Sequence, residues 1–189
     1  MELELKRGGR TARVETLGGE LVSYRDERGL EYIWGGDPAY WPGRNPLLFP
    51  IVGMLKEGKI RFDGREYAME RHGFARRREF TPAARGEDWV RLELRESAET
   101  LALYPYSFRL AVEQRLTDTG FSTAVTVANP GEGPLPFCLG AHTGFRCPLE
   151  AGERFEDYEL VFPERESCPT LLLRDGLLDR PAALPCLED

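Results

Sequence analysis

Apolar residues in this chain recur at every second position, and almost nowhere at the three-to-four spacing of an amphipathic helix. Val90, Leu92 and Leu94 share one face while Arg91, Glu93 and Arg95 share the other. Phe108, Leu110 and Val112 alternate with Arg109, Ala111 and Glu113, and Phe121, Thr123, Val125 and Val127 follow after Asp118-Thr119-Gly120. That pattern predicts a hairpin of half-buried strands around a Gly-containing turn. Ile60–Phe62 and Arg65–Met69 flank Asp63-Gly64, a pair that readily takes positive φ, and predict a second hairpin. Leu21–Tyr24 and Leu30–Trp34 flank Asp26–Gly29 and predict a third. Tyr158, Leu160 and Phe162 repeat the alternation near the end, and Ser97–Leu103 has room for one helical turn. Roughly ten short strands at near-regular spacing mean an all-β sandwich or barrel.

At 189 residues the chain is expected to form a single domain. A domain of this size buries roughly 70% of its unfolded surface, so it needs neither metal nor disulfide to fold. Twenty-five Lys and Arg against 32 Asp and Glu give a charge of −7, which argues against a nucleic-acid surface. No apolar run is long enough to span a membrane. Met1–Lys6 alternates and shows no apolar signal region, so a cytoplasmic location is expected. Cys138, Cys147, Cys168 and Cys186 contain no C-x-x-C pair and are expected as reduced thiols packed in the core.

Two segments break the alternation and are dense in Gly, Pro, aromatics and His: Trp41–Phe80 and Asn129–Leu149. In a β-sandwich, chemistry sits in such irregular segments at strand ends. Each holds one of the two histidines, His72 and His142. Imidazole gives and takes protons near neutrality. The plain alternative is two histidines in unrelated hydrogen-bonding roles. No H-x-H, H-x-x-x-H or H-E-x-x-H spacing supports a metal, and no G-x-S-x-G, G-x-G-x-x-G or Walker sequence supports a nucleophile elbow or nucleotide cofactor. Arg76-Arg77-Arg78 is either a solvated face or an anion site. Trp34, Trp41 and Phe74 are either core residues or stacking platforms for sugar rings.

Tyr32–Asp37, Tyr40-Trp41, Pro46–Gly53, His72–Arg76, Glu99–Tyr106 and Gly140–Phe145 occur in an order that resembles the aldose 1-epimerase (galactose mutarotase) family. Each motif is weak by itself; together they cover nearly the whole chain. The resemblance implies an antiparallel β-sandwich of the galactose-mutarotase-like supersandwich type over residues 1–189, shortened at the C-terminus. It implies an isomerase that interconverts the α and β anomers of an aldose or sugar phosphate by acid–base ring opening. The partner would be a small-molecule sugar, with no cofactor and no metal. It assigns His142 as general acid on the ring oxygen and His72 as a catalytic contact around that oxygen. Phe145 is a further candidate for sugar binding.

Two departures accompany the resemblance. Met54 occupies a position where the family commonly has an Arg that holds the sugar, and Arg44 and Arg76 are the candidates to replace it. The family's general-base Glu lies beyond residue 189, and Glu188 does not match its position. The alternatives are therefore a non-catalytic carbohydrate-binding relative, or a shortened chain completed by a partner. Leu171–Leu173 and Leu177-Leu178 lack an obvious local partner, which leads to the expectation of a homo-oligomer.

Overall fold

The computed structural model describes residues 1–164 and 169–182. The described strands all pair antiparallel, apart from one isolated parallel bridge that proves central to the site. Strands β1 (Glu2–Arg7), β2 (Arg10–Glu15) and β3 (Leu21–Arg25) form one sheet in sequence order. After β4 (Leu47–Leu48) comes the hairpin β5 (Lys59–Phe62) and β6 (Arg65–Ala68). Strands β7 (Thr81–Arg85) and β8 (Trp89–Arg95) are followed by the single helical turn α1 (Ala98–Leu101). Then come β9 (Arg109–Leu116), β10 (Phe121–Ala128), β11 (Gly140–Ala141), β12 (Thr170–Arg174) and β13 (Leu177–Ala182). The second large sheet runs β10-β9-β8-β7.

The alternation explains how the two large sheets meet. Leu3, Leu5, Ala12 and Val14 of the first sheet are buried, as are Val90, Leu92, Leu94, Leu110, Val112 and Leu116 of the second, and all belong to one core. Their charged neighbours in sequence face outward, as period two requires. Buried Gln114 on β9 joins the layers. Its Nε2 donates to the Gly19 carbonyl at 2.9 Å and its Oε1 accepts from the Thr123 hydroxyl at 2.6 Å. The Asp63-Gly64 and Asp118–Gly120 hairpins form as expected, with Ile60 opposite Tyr67 and Val112 opposite Val125. The helical turn is closed by Ser97 and Thr100, each side chain meeting the other's backbone N–H.

Three expectations fail. Leu30–Trp34 makes only isolated bridges at Glu31 and Ile33. The Glu31 carboxylate takes the N–H groups of Tyr24 (2.9 Å) and Ile33 (3.1 Å), so a side chain replaces the ladder. Burial pushes the Glu31 pKa up, but these bonds, with Ser23 and Arg25, outweigh it and hold it below the usual range. Tyr158–Phe162 is irregular, with Leu160 88% and Val161 78% exposed. The Tyr158 hydroxyl is instead tied to the Leu149 N–H at 2.7 Å and to Glu153, and no described strand lies alongside. Cys138 and Cys147 are exposed rather than packed, because both lie in irregular segments outside the two large sheets. Cys168, Cys186 and Glu188 fall outside the described residues.

The stretch Asn45–Ile51 is buried throughout and is held from both sides. On one side Gly140 and Ala141 pair with Leu48 and Leu47, and the Cys138 N–H donates to the Pro50 carbonyl at 2.8 Å. On the other, Phe49 bridges Gly73 in the parallel sense, and the Phe49 carbonyl accepts from Phe74 (3.0 Å) and Ala75 (3.2 Å). Gly73 has φ +70°, and a Cβ there would sit 2.2 Å from the Phe49 oxygen. Gly73→Ala therefore combines a left-handed backbone that disfavours a side chain with a collision against main chain. A loss exceeding about 2 kcal/mol is expected, measured as a shift of the urea midpoint at unchanged slope. A stability near wild type would mean that the 72–75 segment is not pinned in this way.

Candidate active site

Both irregular segments end at the same place because they share Asn45–Ile51 as their common support. The 72–75 segment lies along one edge of it and the 138–144 segment along the other. The result brings His72 and His142 together, with ring centroids 6.4 Å apart, although they are far apart in sequence.

The two imidazoles are held differently. His72 sits at φ +67° and is clamped to Gly53 twice. Its main-chain N–H donates to the Gly53 carbonyl at 2.8 Å, and its ring Nδ1 accepts the Gly53 N–H at 3.0 Å. An Nδ1 that accepts carries no proton, so the neutral ring has its hydrogen on Nε2. Burial pushes the His72 pKa below its ordinary value, and the guanidiniums of Arg76 and Arg71 and the His142 ring push the same way. His142 is exposed, its ring 5.0 Å from that of Trp41, and its main-chain N–H donates to the Pro46 carbonyl at 3.2 Å. Behind Trp41, its carbonyl accepts from the Trp34 indole at 2.8 Å, while the Trp34 N–H donates to the Gly144 carbonyl at 2.9 Å. A Cβ on Gly144 would come within 2.7 Å of the Trp41 ring, so glycine is what lets the chain pass. Trp34 and Trp41 thus form one wall beside His142, whereas Phe74 is core.

The other nominated residues separate. Arg76 is half-buried near His72, and its Nη2 donates to the Arg71 carbonyl at 2.9 Å. Arg77 and Arg78 turn outward to Glu70 and Glu99, so the run of three is divided between the site and the surface. Arg44 serves through its main chain. Its carbonyl accepts from Gly144 at 2.7 Å, its N–H and that of Asn45 donate to Glu20, and its guanidinium is spent on the Gly35 carbonyl at 3.3 Å. Phe145, 69% exposed, lies with Thr143 on the other face of its segment from His142, beside Tyr32 and Ile33. Two residues escaped the sequence reading. Gly53 fixes the His72 tautomer, and Arg71 lies beside Met54 with Nη2 3.8 Å from the thioether sulfur.

The aldose 1-epimerase family profile matches residues 1–175. The chain belongs to the aldose 1-epimerase family. Its sequence is 41% identical to the plasmid LacX protein of Lactococcus lactis and 40% identical to the chromosomal LacX protein, over its whole length and 66% of theirs. It superposes on a galactose mutarotase related enzyme of Lactobacillus acidophilus with a TM-score of 0.90 at 27% identity, covering 95% of this chain and 60% of that one. A galactose mutarotase-like protein of Lactobacillus casei gives 0.76 at 33% identity, with 80% and 52% covered. The chain therefore spans slightly less than two thirds of the curated relatives' length. The antiparallel fold read from the alternation is the fold of these neighbours.

Within this aldose 1-epimerase family member, the clamp on His72 makes a titration prediction. Protonation puts a hydrogen on Nδ1 opposite the Gly53 N–H, so the folded state resists it while the unfolded chain does not. The stability linked to His72 is therefore full above the ordinary imidazole value of 6.5 and is lost as pH falls through the lowered folded value. An NMR titration of the two imidazoles is expected to give His72 a midpoint below 6.5. In the His72→Ala variant, stability is expected to fall less steeply across that window. A His72 midpoint at or above the ordinary value would contradict the clamp.

Proposed function

We propose that this site interconverts the α and β anomers of an aldose or sugar phosphate by acid–base ring opening. The observation that carries the reading is the convergence of the only two histidines, 6.4 Å apart, in a member of this family. His72 offers an Nε2–H donor held in one tautomer, suited to fixing a ring or neighbouring oxygen. His142 is open to solvent and free to move a proton, which suits a general acid on the ring oxygen. Protonating that oxygen as the anomeric hydroxyl loses its proton breaks the C1–O5 bond and gives the open aldehyde. Rotation about C1–C2 and reclosure from the other face give the other anomer. The Trp34–Trp41 wall supplies an apolar surface against which a sugar ring packs. Arg76 stands by His72 as a substrate contact, and Phe145 is proposed only for an outer contact. No cofactor enters the scheme, and the two exposed thiols fit a reducing, cytoplasmic setting.

The proton acceptor is the open half of the scheme. Among the described residues neither imidazole has a carboxylate hydrogen-bond partner. That observation favours a second reading, a carbohydrate-binding chain without turnover. Anomer exchange measured by NMR on residues 1–189, and on a chain lengthened to its relatives' full length, separates the two. For the lengthened chain we expect His142→Ala to lower kcat by about 100- to 10,000-fold, and His72→Ala to change both kcat and KM. Wild-type exchange in both variants would reduce the histidines to structural roles.

Association of copies is also proposed. The β12–β13 hairpin pairs with no other described strand, and it exposes Leu173 (65%) and Leu178 (70%). Apolar residues on an unshared strand pair favour burial against another chain. Light scattering of residues 1–189 at micromolar concentration is expected to show a dimer or larger species, and a monodisperse monomer would overturn this part.

A further inference from the structure

Each of the two large sheets ends in two edge strands, and three of these four edges are closed to further pairing. Strand β1 carries Glu2, Glu4, Lys6 and Arg7 among its six residues, and the Lys6 N–H already donates to the Glu87 carbonyl at 2.9 Å. Strand β3 has its free side taken by the segment that follows it. The Tyr24 N–H donates to the Glu31 carboxylate at 2.9 Å, and the Tyr24 carbonyl accepts from Tyr32 at 3.0 Å. Strand β7 holds Pro82 and Arg85, and its register slips between Pro82 and Ala84. Charge, proline, bulges and covering segments are the devices that keep a sheet edge from pairing with another chain.

The fourth edge, β10, has none of them. Phe121–Ala128 contains no charge and no proline, and all eight residues pair with β9 without a register shift. Among the described residues no strand lies along its other side. A strand rich in β-branched residues and free of charge pairs readily with whatever edge it meets. The core also runs out here. Val112 on β9 is buried, whereas Val125 opposite it is only half-buried, as are Phe121 and Val127.

The order of side chains along β10 identifies what fits it. In antiparallel pairing about a two-fold axis through Ala124, opposed residues share a face of the sheet. Phe121 then lies opposite Val127 of the second copy, Thr123 opposite Val125, and Ser122 opposite Thr126. The inner face gains an aromatic-to-β-branched contact and the outer face a pair of hydroxyls, both of which stabilise sheets. At the ends Gly120 meets Ala128 and Asp118 meets Pro130, so no charge is set against a like charge although each copy carries −7. The strand is its own complement, as an isologous interface requires.

We propose that β10 is a dimerisation edge, which pairs with β10 of a second copy about Ala124 and joins two four-stranded sheets into one. The proposal deepens the association reading and rests on it, but gives it a surface apart from the β12–β13 hairpin.

Ala124 is exposed, so a substitution there alters the edge and not the core. Light scattering of residues 1–189 across micromolar concentrations is expected to show a reversible dimer. Ala124→Lys sets two like charges opposite each other and is expected to raise the dimer Kd at least about tenfold, with the urea midpoint of the diluted monomer unchanged. Ala83→Lys on the closed β7 edge and Leu178→Lys on the hairpin are expected to leave the dimer as it is. Should Ala124→Lys fail to fold, Ala124→Cys decides. A short bismaleimide is expected to link position 124 to position 124 of the second copy, identified by peptide mass, with wild type giving no link at that position. A dimer that survives Ala124→Lys and is lost in Leu178→Lys overturns the β10 edge while leaving association standing. A species that keeps growing with concentration, or a dimer without the 124–124 link, also overturns it. A monodisperse monomer sinks both, and leaves the edge to a different chain segment.

Discussion

The Phe49 carbonyl is the point on which the site's geometry depends. It accepts the N–H groups of Phe74 and Ala75, which lays the 72–75 segment against the buried stretch. The ring of the same residue is fully buried and meets Phe74, Tyr104, Phe108 and Phe137. Tyr104 and Phe108 flank the entry to β9, so this aromatic cluster fixes the site segments to the second large sheet. Its one polar tip is satisfied, because the Tyr104 hydroxyl donates to the Pro136 carbonyl at 2.8 Å. Burial raises the Tyr104 pKa, and a neutral donor is the form this bond needs. Both histidine segments are anchored to this one stretch of main chain, the first at Phe49 and the second at Leu47, Leu48 and Pro50.

What was legible in the sequence follows from the range of the interaction that decides it. The β5–β6 and β9–β10 hairpins are set by alternation and by a turn a few residues long, and so were readable. The cap on α1 lies in Ser97 and Thr100 alone. Leu30–Trp34 looked like a strand because nothing local reveals that Glu31 will fold back onto the Tyr24 and Ile33 amides. Tyr158–Phe162 has the right alternation but lacks a described neighbour, and alternation measures only the capacity to pair. The β4–β11 ladder is two residues long, below what any periodicity can register, yet it carries half of the site.

The site itself divides in the same manner. His72 and His142 stood out as the chain's two histidines within irregular, glycine-rich segments, and the family motifs reinforced them. The resemblance implied their convergence on one ring oxygen, and the rings lie 6.4 Å apart; the residues alone could not show it, because it depends on a third segment lying between the two. Three consecutive arginines are chemically identical in the sequence. The short 3-10 turn at Ala75–Arg77 aims the first inward and leaves the next two for Glu70 and Glu99. Arg71 gave no signal at all, since its place beside the Met54 sulfur is a property of the folded chain.

The two histidines differ in a way that bears on how a shared sugar oxygen would be handled. His72 has one ring nitrogen committed to a backbone amide, a lowered proton affinity and cationic neighbours, so its ring is a neutral donor of fixed orientation. His142 has an exposed ring braced only by the Trp41 face, and neither of its nitrogens is committed among the described residues. A group that must stay neutral while it positions an oxygen gains from the first environment. A group that must gain and lose a proton in each cycle gains from the second, because solvent can restore its charge state. Burial first, and then the charges of Arg76 and Arg71, hold the proton affinity of His72 down, and among the described residues neither guanidinium has a carboxylate within ion-pair distance. A pair of carboxylates placed on Arg71 and Arg76 would have raised the proton affinity of His72 and weakened its hold on the Gly53 amide. Leaving those guanidiniums open therefore serves the orientation of His72 in the free protein.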